Sequence, residues 1–104
     1  MVNYKIDISL PAENDLRDIL RYISTQLLEP ITAFEMLEHI EGEINTLSTL
    51  PQRQPLVRDQ RLAELGYRIL PVKNYMVFYS INEEEQVVDI ERILYNRRNW
   101  QHLL

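Results

Sequence analysis

GYRILPVKNYMVFYSINEEEQVVDIERILYNRR, residues 66–98, decides how this chain folds. Two apolar runs, Tyr67–Val72 and Tyr75–Ile81, are separated only by Lys73 and Asn74. A third, Val87–Tyr95, follows the acidic turn Asn82-Glu83-Glu84-Glu85. Runs of this length, rich in Val, Ile, Tyr and Phe and bounded by turn residues, read as strands. Connections so short join antiparallel neighbours, so the block reads as a three-stranded meander. In the middle run Tyr75, Val77, Tyr79 and Ile81 face one way and Met76, Phe78 and Ser80 the other, which predicts a central strand covered on both sides. Pro71 cannot donate to a ladder, so the first strand of the meander belongs at an edge or a bulge. The third run leads directly into Asn96-Arg97-Arg98-Asn99-Trp100, a basic, aromatic tail suited to meeting a partner.

Upstream, Tyr4, Ile6 and Ile8 alternate with Lys5, Asp7 and Ser9, the pattern of a half-buried strand. Pro11 then opens a helix, with Ser9 or Leu10 as its cap and Glu13 and Asp15 at the positive end of the helix dipole. Leu16, Ile19, Leu20, Ile23 and Leu27 follow helical spacing and form one core-facing stripe. Pro30 restarts a second helix, with Ala33, Leu37, Ile40, Ile44 and Leu47 as its stripe. The short link predicts an antiparallel helix hairpin. Pro51 ends the second helix, and a short helical turn is expected from Asp59. The expected fold is therefore α+β, in the order β-α-α-β-β-β. An N-terminal strand and a helix hairpin pack on a small antiparallel sheet, followed by a short C-terminal segment.

The 104 residues, 45% of them apolar and only two of them glycine, make a single domain over 1–104 that should bury roughly two thirds of its unfolded surface. Without cysteine there are no disulfides, thiolate metal sites or thiol chemistry. The N-terminus lacks the apolar core of a signal peptide, and no run approaches the ~18 apolar residues of a membrane span. A soluble, cytoplasmic protein with no membrane partner is expected. The net charge of −5 is uneven. Residues 11–50 carry eight acids against Arg17 and Arg21, a balance of −6, whereas 51–82 stand at +3 and 83–104 at −2. That asymmetry fits a localised anionic partner and excludes a general nucleic-acid binder.

Strong enzyme motifs are absent: there is no glycine-rich phosphate loop, nucleophile elbow or serine–histidine–acid set. His39 and His102 have no partner at ligand spacing, so neither a metal nor another cofactor is expected, and His39 reads as solvated. The glutamate run 83–85 reads as a solvated turn. Arg92 is the most informative single residue, because alternation places it in an apolar row with Val88, Ile90 and Leu94. Two readings stand: it buries its stem and pairs with a carboxylate, or it meets phosphate or an acidic partner segment. Arg68 poses the same question. Tyr95, Arg97, Arg98 and Trp100 form a second cluster suited to stacking, phosphate contact or a protein hot spot. Trp100, Leu103 and Leu104 equally suit docking of the C-terminal segment on the core.

The whole chain resembles a RelE/ParE-type toxin of bacterial type II toxin–antitoxin pairs. The resemblance rests on Pro11-Ala12-Glu13-Asn14-Asp15-Leu16 after the first strand and on Leu47-Ser48-Thr49-Leu50-Pro51 at the end of the second helix. It continues through Tyr67–Val72, Tyr75–Tyr79, Val88–Tyr95 and Asn96-Arg97-Arg98-Asn99, in that order and spacing. The phrases around Pro71, Tyr75–Tyr79 and Ile93–Arg98 are closer to the ParE branch. RelE-like members are ribosome-dependent endoribonucleases that cut mRNA with basic residues. ParE-like members have no known nuclease activity and poison DNA gyrase. The resemblance therefore implies growth inhibition, a role in plasmid stabilisation and gyrase as target; a ribosome carrying mRNA is the alternative, and an inactive partner-binding relative a third reading. Met76 stands where RelE-like nucleases place an arginine, Leu70 where another lysine is expected, and His102 near their terminal tyrosine. If the chain cuts RNA, the resemblance makes Arg68, Arg92, Tyr95, Arg97 and Arg98 the candidate catalytic set. Otherwise these residues and Trp100 contact target or antitoxin. A cognate antitoxin is implied in every case, with oligomers formed through it, and Arg68, Arg92, Arg97 and Arg98 suit an acidic antitoxin tail.

Overall fold

Ser9 sets the first corner of the chain. Its Oγ accepts the Ala12 amide at 3.2 Å, capping helix α1 (Leu10–Arg21), and donates to the Glu91 carbonyl at 2.9 Å. One side chain thus starts a helix and ties it to the last strand, 82 residues away. Pro11 lies in the first turn, where a missing N–H costs nothing. The computed structural model describes residues 3–96 and 103–104; Arg97, Arg98, Trp100 and His102 lie outside the described residues.

Strands β1 (Lys5–Ile8), β2 (Arg68–Val72), β3 (Tyr75–Asn82) and β4 (Val87–Tyr95) form one sheet in the order β1-β4-β3-β2. The expected meander β2-β3-β4 is present and antiparallel. β1 lies parallel to β4, with Lys5 opposite Val87 and Ile8 opposite Ile90, so the whole sheet is mixed. The helix hairpin explains this: it carries the chain from β1 across to β2 in the same direction, and the meander then brings β4 back beside β1. β2, with Pro71, lies at an edge, its first residue bridged to Leu56. β3 is internal, and its Val77, Phe78 and Tyr79 are fully buried, so both faces are covered.

The hairpin of α1 and α2 (Pro30–Asn45) packs on one face. Ala12, Ile40, Ile44 and Leu47 meet Leu70, Val72, Val77, Tyr79, Val88, Ile90 and Ile93 in one core. Each large side chain among them contributes about 1.5–3 kcal/mol by leaving water. The Tyr79 hydroxyl stays satisfied there by donating to the Pro51 carbonyl at 2.7 Å. A short helix α3 (Gln60–Glu64) starts at Asp59, whose carboxylate caps the Leu62 amide. It ends at Gly66, which takes φ 82° while its amide and that of Tyr67 close the helix onto Ala63 and Leu62.

Two local insertions break the simple periodicities. Tyr22–Gln26 form a π-helical turn after α1, with the Leu27 amide bonded to the Tyr22 carbonyl. The wider turn rotates Leu27 off the stripe it was expected to extend, and it is exposed. A bulge in β4 sets Phe78 opposite Arg92 but Tyr79 opposite Ile90, leaving Glu91 as the extra residue. Past it the inward residue is Ile93, so Arg92 leaves the apolar row that strict alternation assigned to it.

Candidate functional site

β4 loses its outer neighbour after Ile90, because β1 ends at Ile8. An open strand edge leaves amides to satisfy. α1 supplies the partner: Asp15 Oδ2 accepts the Ile93 amide at 3.0 Å. The same carboxylate takes a two-pronged bond from Arg92, Nε to Oδ2 at 2.7 Å and Nη2 to Oδ1 at 2.8 Å. Nη1 of Arg92 donates to the Leu103 carbonyl at 2.9 Å. The Arg92 side chain is 23% exposed and that of Asp15 13%. The Asp15 hydrogen bond, ahead of the opposing effect of burial, raises the guanidinium further above its ordinary range. Arg92 is therefore a clamp holding α1, β4 and Leu103 together, which is the pairing reading.

Arg68 is engaged by neutral backbone oxygens. Its Nη1 donates to the Gln54 carbonyl and, at 3.4 Å, to that of Gln52, fixing the loop before α3. Arg53 binds the Thr46 carbonyl at 3.0 Å and closes the end of α2. Arg61 reaches the Leu104 carbonyl at 3.3 Å. Three of the five cations of the middle segment, Arg53, Arg61 and Arg68, thus donate to backbone oxygens of their own chain.

Tyr95 is 38% exposed and meets Tyr75 edge-on, ring centroids 5.7 Å apart at 86°. These two rings, Tyr22 and Asp18 surround a groove of about 220 Å³ between α1 and the end of β4, walled by Ile19, Ile93 and Leu94 and closed at one side by Asp15. Burial first, then the nearby phenols of Tyr95 and Tyr22, push the Tyr75 hydroxyl above its ordinary value. Of the candidates named from sequence, the structure places Tyr95 in this groove and Arg92 behind it, while Arg68, opposite Tyr79, lies across β3 from Arg92, which is opposite Phe78. Arg97, Arg98 and Trp100 fall outside the described residues. The sequence reading missed Asp15, Asp18 and Tyr22 as site residues. The signal for Tyr22 was an aromatic off the α1 stripe, while Asp15 looked like an ordinary acid of a first helical turn. Among the described residues, no group of three or more His, Asp or Glu side chains could hold a metal, and no helix is long and apolar enough to cross a membrane.

A family model, that of the ParE toxin of the type II toxin–antitoxin system parDE, matches residues 6–100. The fold is similar to a structure of the chromosomal ParDE toxin–antitoxin system from P. aeruginosa. That likeness has a TM-score of 0.74 at 16% identity and covers 88% of this chain and 95% of that one. It is also similar to a chain of the toxin–antitoxin complex RelBE2 from Mycobacterium tuberculosis, with a TM-score of 0.62 at 22% identity, covering 90% of this chain and 99% of that one. No curated protein matches in sequence. At these identities the solved structures speak for the fold alone.

Proposed function

We propose, for a chain that belongs to the ParE toxin family of type II toxin–antitoxin systems, that it arrests growth by binding DNA gyrase in the cytoplasm and is neutralised by a cognate antitoxin. The observation that carries the choice of a binding toxin over a nuclease is the engagement of Arg68 and Arg92. Cutting RNA without a metal needs a general base, an acid and a group that stabilises charge on the scissile phosphate. The Arg92 guanidinium is held by Asp15 and the Leu103 carbonyl, one nitrogen of Arg68 is held by backbone carbonyls, and Met76, beside Pro71 and Leu94, adds no cation to β3. An antitoxin partner is supported by the apolar side chains left exposed at the tip of the helix hairpin. Leu28 is 80% exposed, Ile31 74% and Phe34 61%, and such a cluster suits cover by a partner.

The test is inducible expression in bacteria, paired with gyrase supercoiling assays on the purified protein and transcript mapping in the arrested cells. Loss of supercoiling with intact transcripts is the expected result. Cleavage of mRNA at ribosome-positioned codons would overturn the proposal in favour of an endoribonuclease. Absence of any growth effect would leave a partner-binding relative.

A further inference from the structure

The groove beside β4 has the opposite polarity to the one the arginine-rich tail suggested for partner binding. Among the described residues, the charged side chains lining it are Asp15 and Asp18, with no lysine or arginine. Asp15 is neutralised by its bonds to Arg92. Asp18 is not: its contact with Arg21 is 3.6 Å long, with side chains 73% and 65% exposed, a screened surface pair of little consequence. The remaining wall is aromatic and aliphatic. Tyr22, Tyr75 and Tyr95 give an aromatic wall of the kind that attracts a cation, and Ile19, Ile93 and Leu94 give an apolar lane for an aliphatic stem. An acidic side chain here would meet Asp18 and the ring faces at once. A purely apolar one would strip water from Asp18 without a partner. A long side chain with a cationic head satisfies every wall.

The edge of β4 gives the shape of the segment that would carry it. Past Ile8 no strand flanks β4 among the described residues, and beyond Ile93, whose amide Asp15 takes, an extended chain can run beside Leu94 and Tyr95. We propose that the α1–β4 groove seats a lysine or arginine side chain carried on an extended, apolar segment of the partner antitoxin. This deepens the antitoxin reading above and rests on it. It also replaces, for Arg92, the expectation of an acidic tail, because that guanidinium is already paired with Asp15.

Three blocked peptides, Val-Ile-Xaa-Val-Thr with arginine, citrulline or glutamate at the third place, test it on the whole chain. Binding is followed by NMR through the ring signals of Tyr22, Tyr75 and Tyr95. The arginine peptide is expected to shift all three rings. Citrulline, equal in shape and uncharged, should bind at least about fivefold more weakly, and glutamate should not bind. Asp18→Asn, a change at an exposed position that leaves the fold intact, should erase most of the difference between arginine and citrulline. The proposal is overturned if citrulline binds as well as arginine, if glutamate binds better, or if the arginine peptide leaves the rings unmoved. Self-association of the chain through these rings would overturn it too, by making a second copy the occupant. Growth rescue by a co-expressed antitoxin is scored separately, so the groove and the antitoxin reading can each fail alone.

Discussion

Replacing Arg92 with methionine should unfold the chain far more readily while leaving most of the core untouched. The substitution keeps an apolar stem of similar length and removes two charge-assisted bonds to Asp15 and one bond to the Leu103 carbonyl. Asp15 is then left as a carboxylate 13% exposed, with the Ile93 amide as its remaining donor. Breaking a fully buried pair from one side costs about 3–5 kcal/mol. Arg92 is 23% exposed, so the low end applies, about 3 kcal/mol. For a domain near 100 residues that is a fall in Tm of roughly 12–24 °C. Asp15→Leu should cost a similar amount, because it orphans both the guanidinium and the Ile93 amide. The double variant should be less damaged than the sum of the two by about 2 kcal/mol, since neither charge is left alone. Urea denaturation of the four proteins, at constant m-value, measures that coupling. If Arg92→Met lies within about 1 kcal/mol of the parent and yet abolishes toxicity, the clamp is wrong and Arg92 is a contact residue. Additive losses would refute it equally.

Tyr79→Phe removes the hydroxyl that satisfies the Pro51 carbonyl, and should cost about 1–2 kcal/mol in the same denaturation assay. Gly66→Ala should cost about 1 kcal/mol through backbone strain alone, because φ is 82° and nothing lies within 4 Å of where the new methyl would stand; a fall in Tm of about 4–8 °C reports it. Asp89→Asn tests pH dependence. Burial first, then Asp7 opposite it in the register and Glu85, raise the Asp89 pKa, so its ionised form works against folding. The asparagine variant should therefore be more stable at neutral pH, by about 0.5 kcal/mol after screening. That gain should vanish as pH falls below the unfolded value of 3.8, where both proteins are uncharged at this position. Thermal melts across that range check the sign.

Where the residues obey one period, the fold was legible. Tyr75–Ile81 alternates cleanly and is an internal strand; Ala33, Ile40, Ile44 and Leu47 keep helical spacing and are buried; Pro71 lies on an edge strand. What could not be read were the two places where a residue is inserted. A π turn and a bulge each shift every later residue by one position, and neither carries a distinctive residue type, so periodic reading continues past them in the wrong phase. The bulge matters most, because it decided the site. Strict alternation groups Arg92 with Val88 and Ile90, and an arginine in an apolar row asks for an anion, from within the chain or from outside it. The inserted Glu91 instead gives that place to Ile93, and Arg92 swings to the strand edge where β1 has ended. There α1 has already delivered Asp15, six residues after its Ser9 cap, to take both the free Ile93 amide and the guanidinium. The missing partner was 77 residues away and lay in a helix turn that looked complete without it. A short β1, a bulge and a second-turn aspartate are thus three parts of one solution to an exposed strand edge. Among the described residues, the groove lined by Tyr22, Tyr75 and Tyr95 is the stretch of that edge which the solution leaves uncovered.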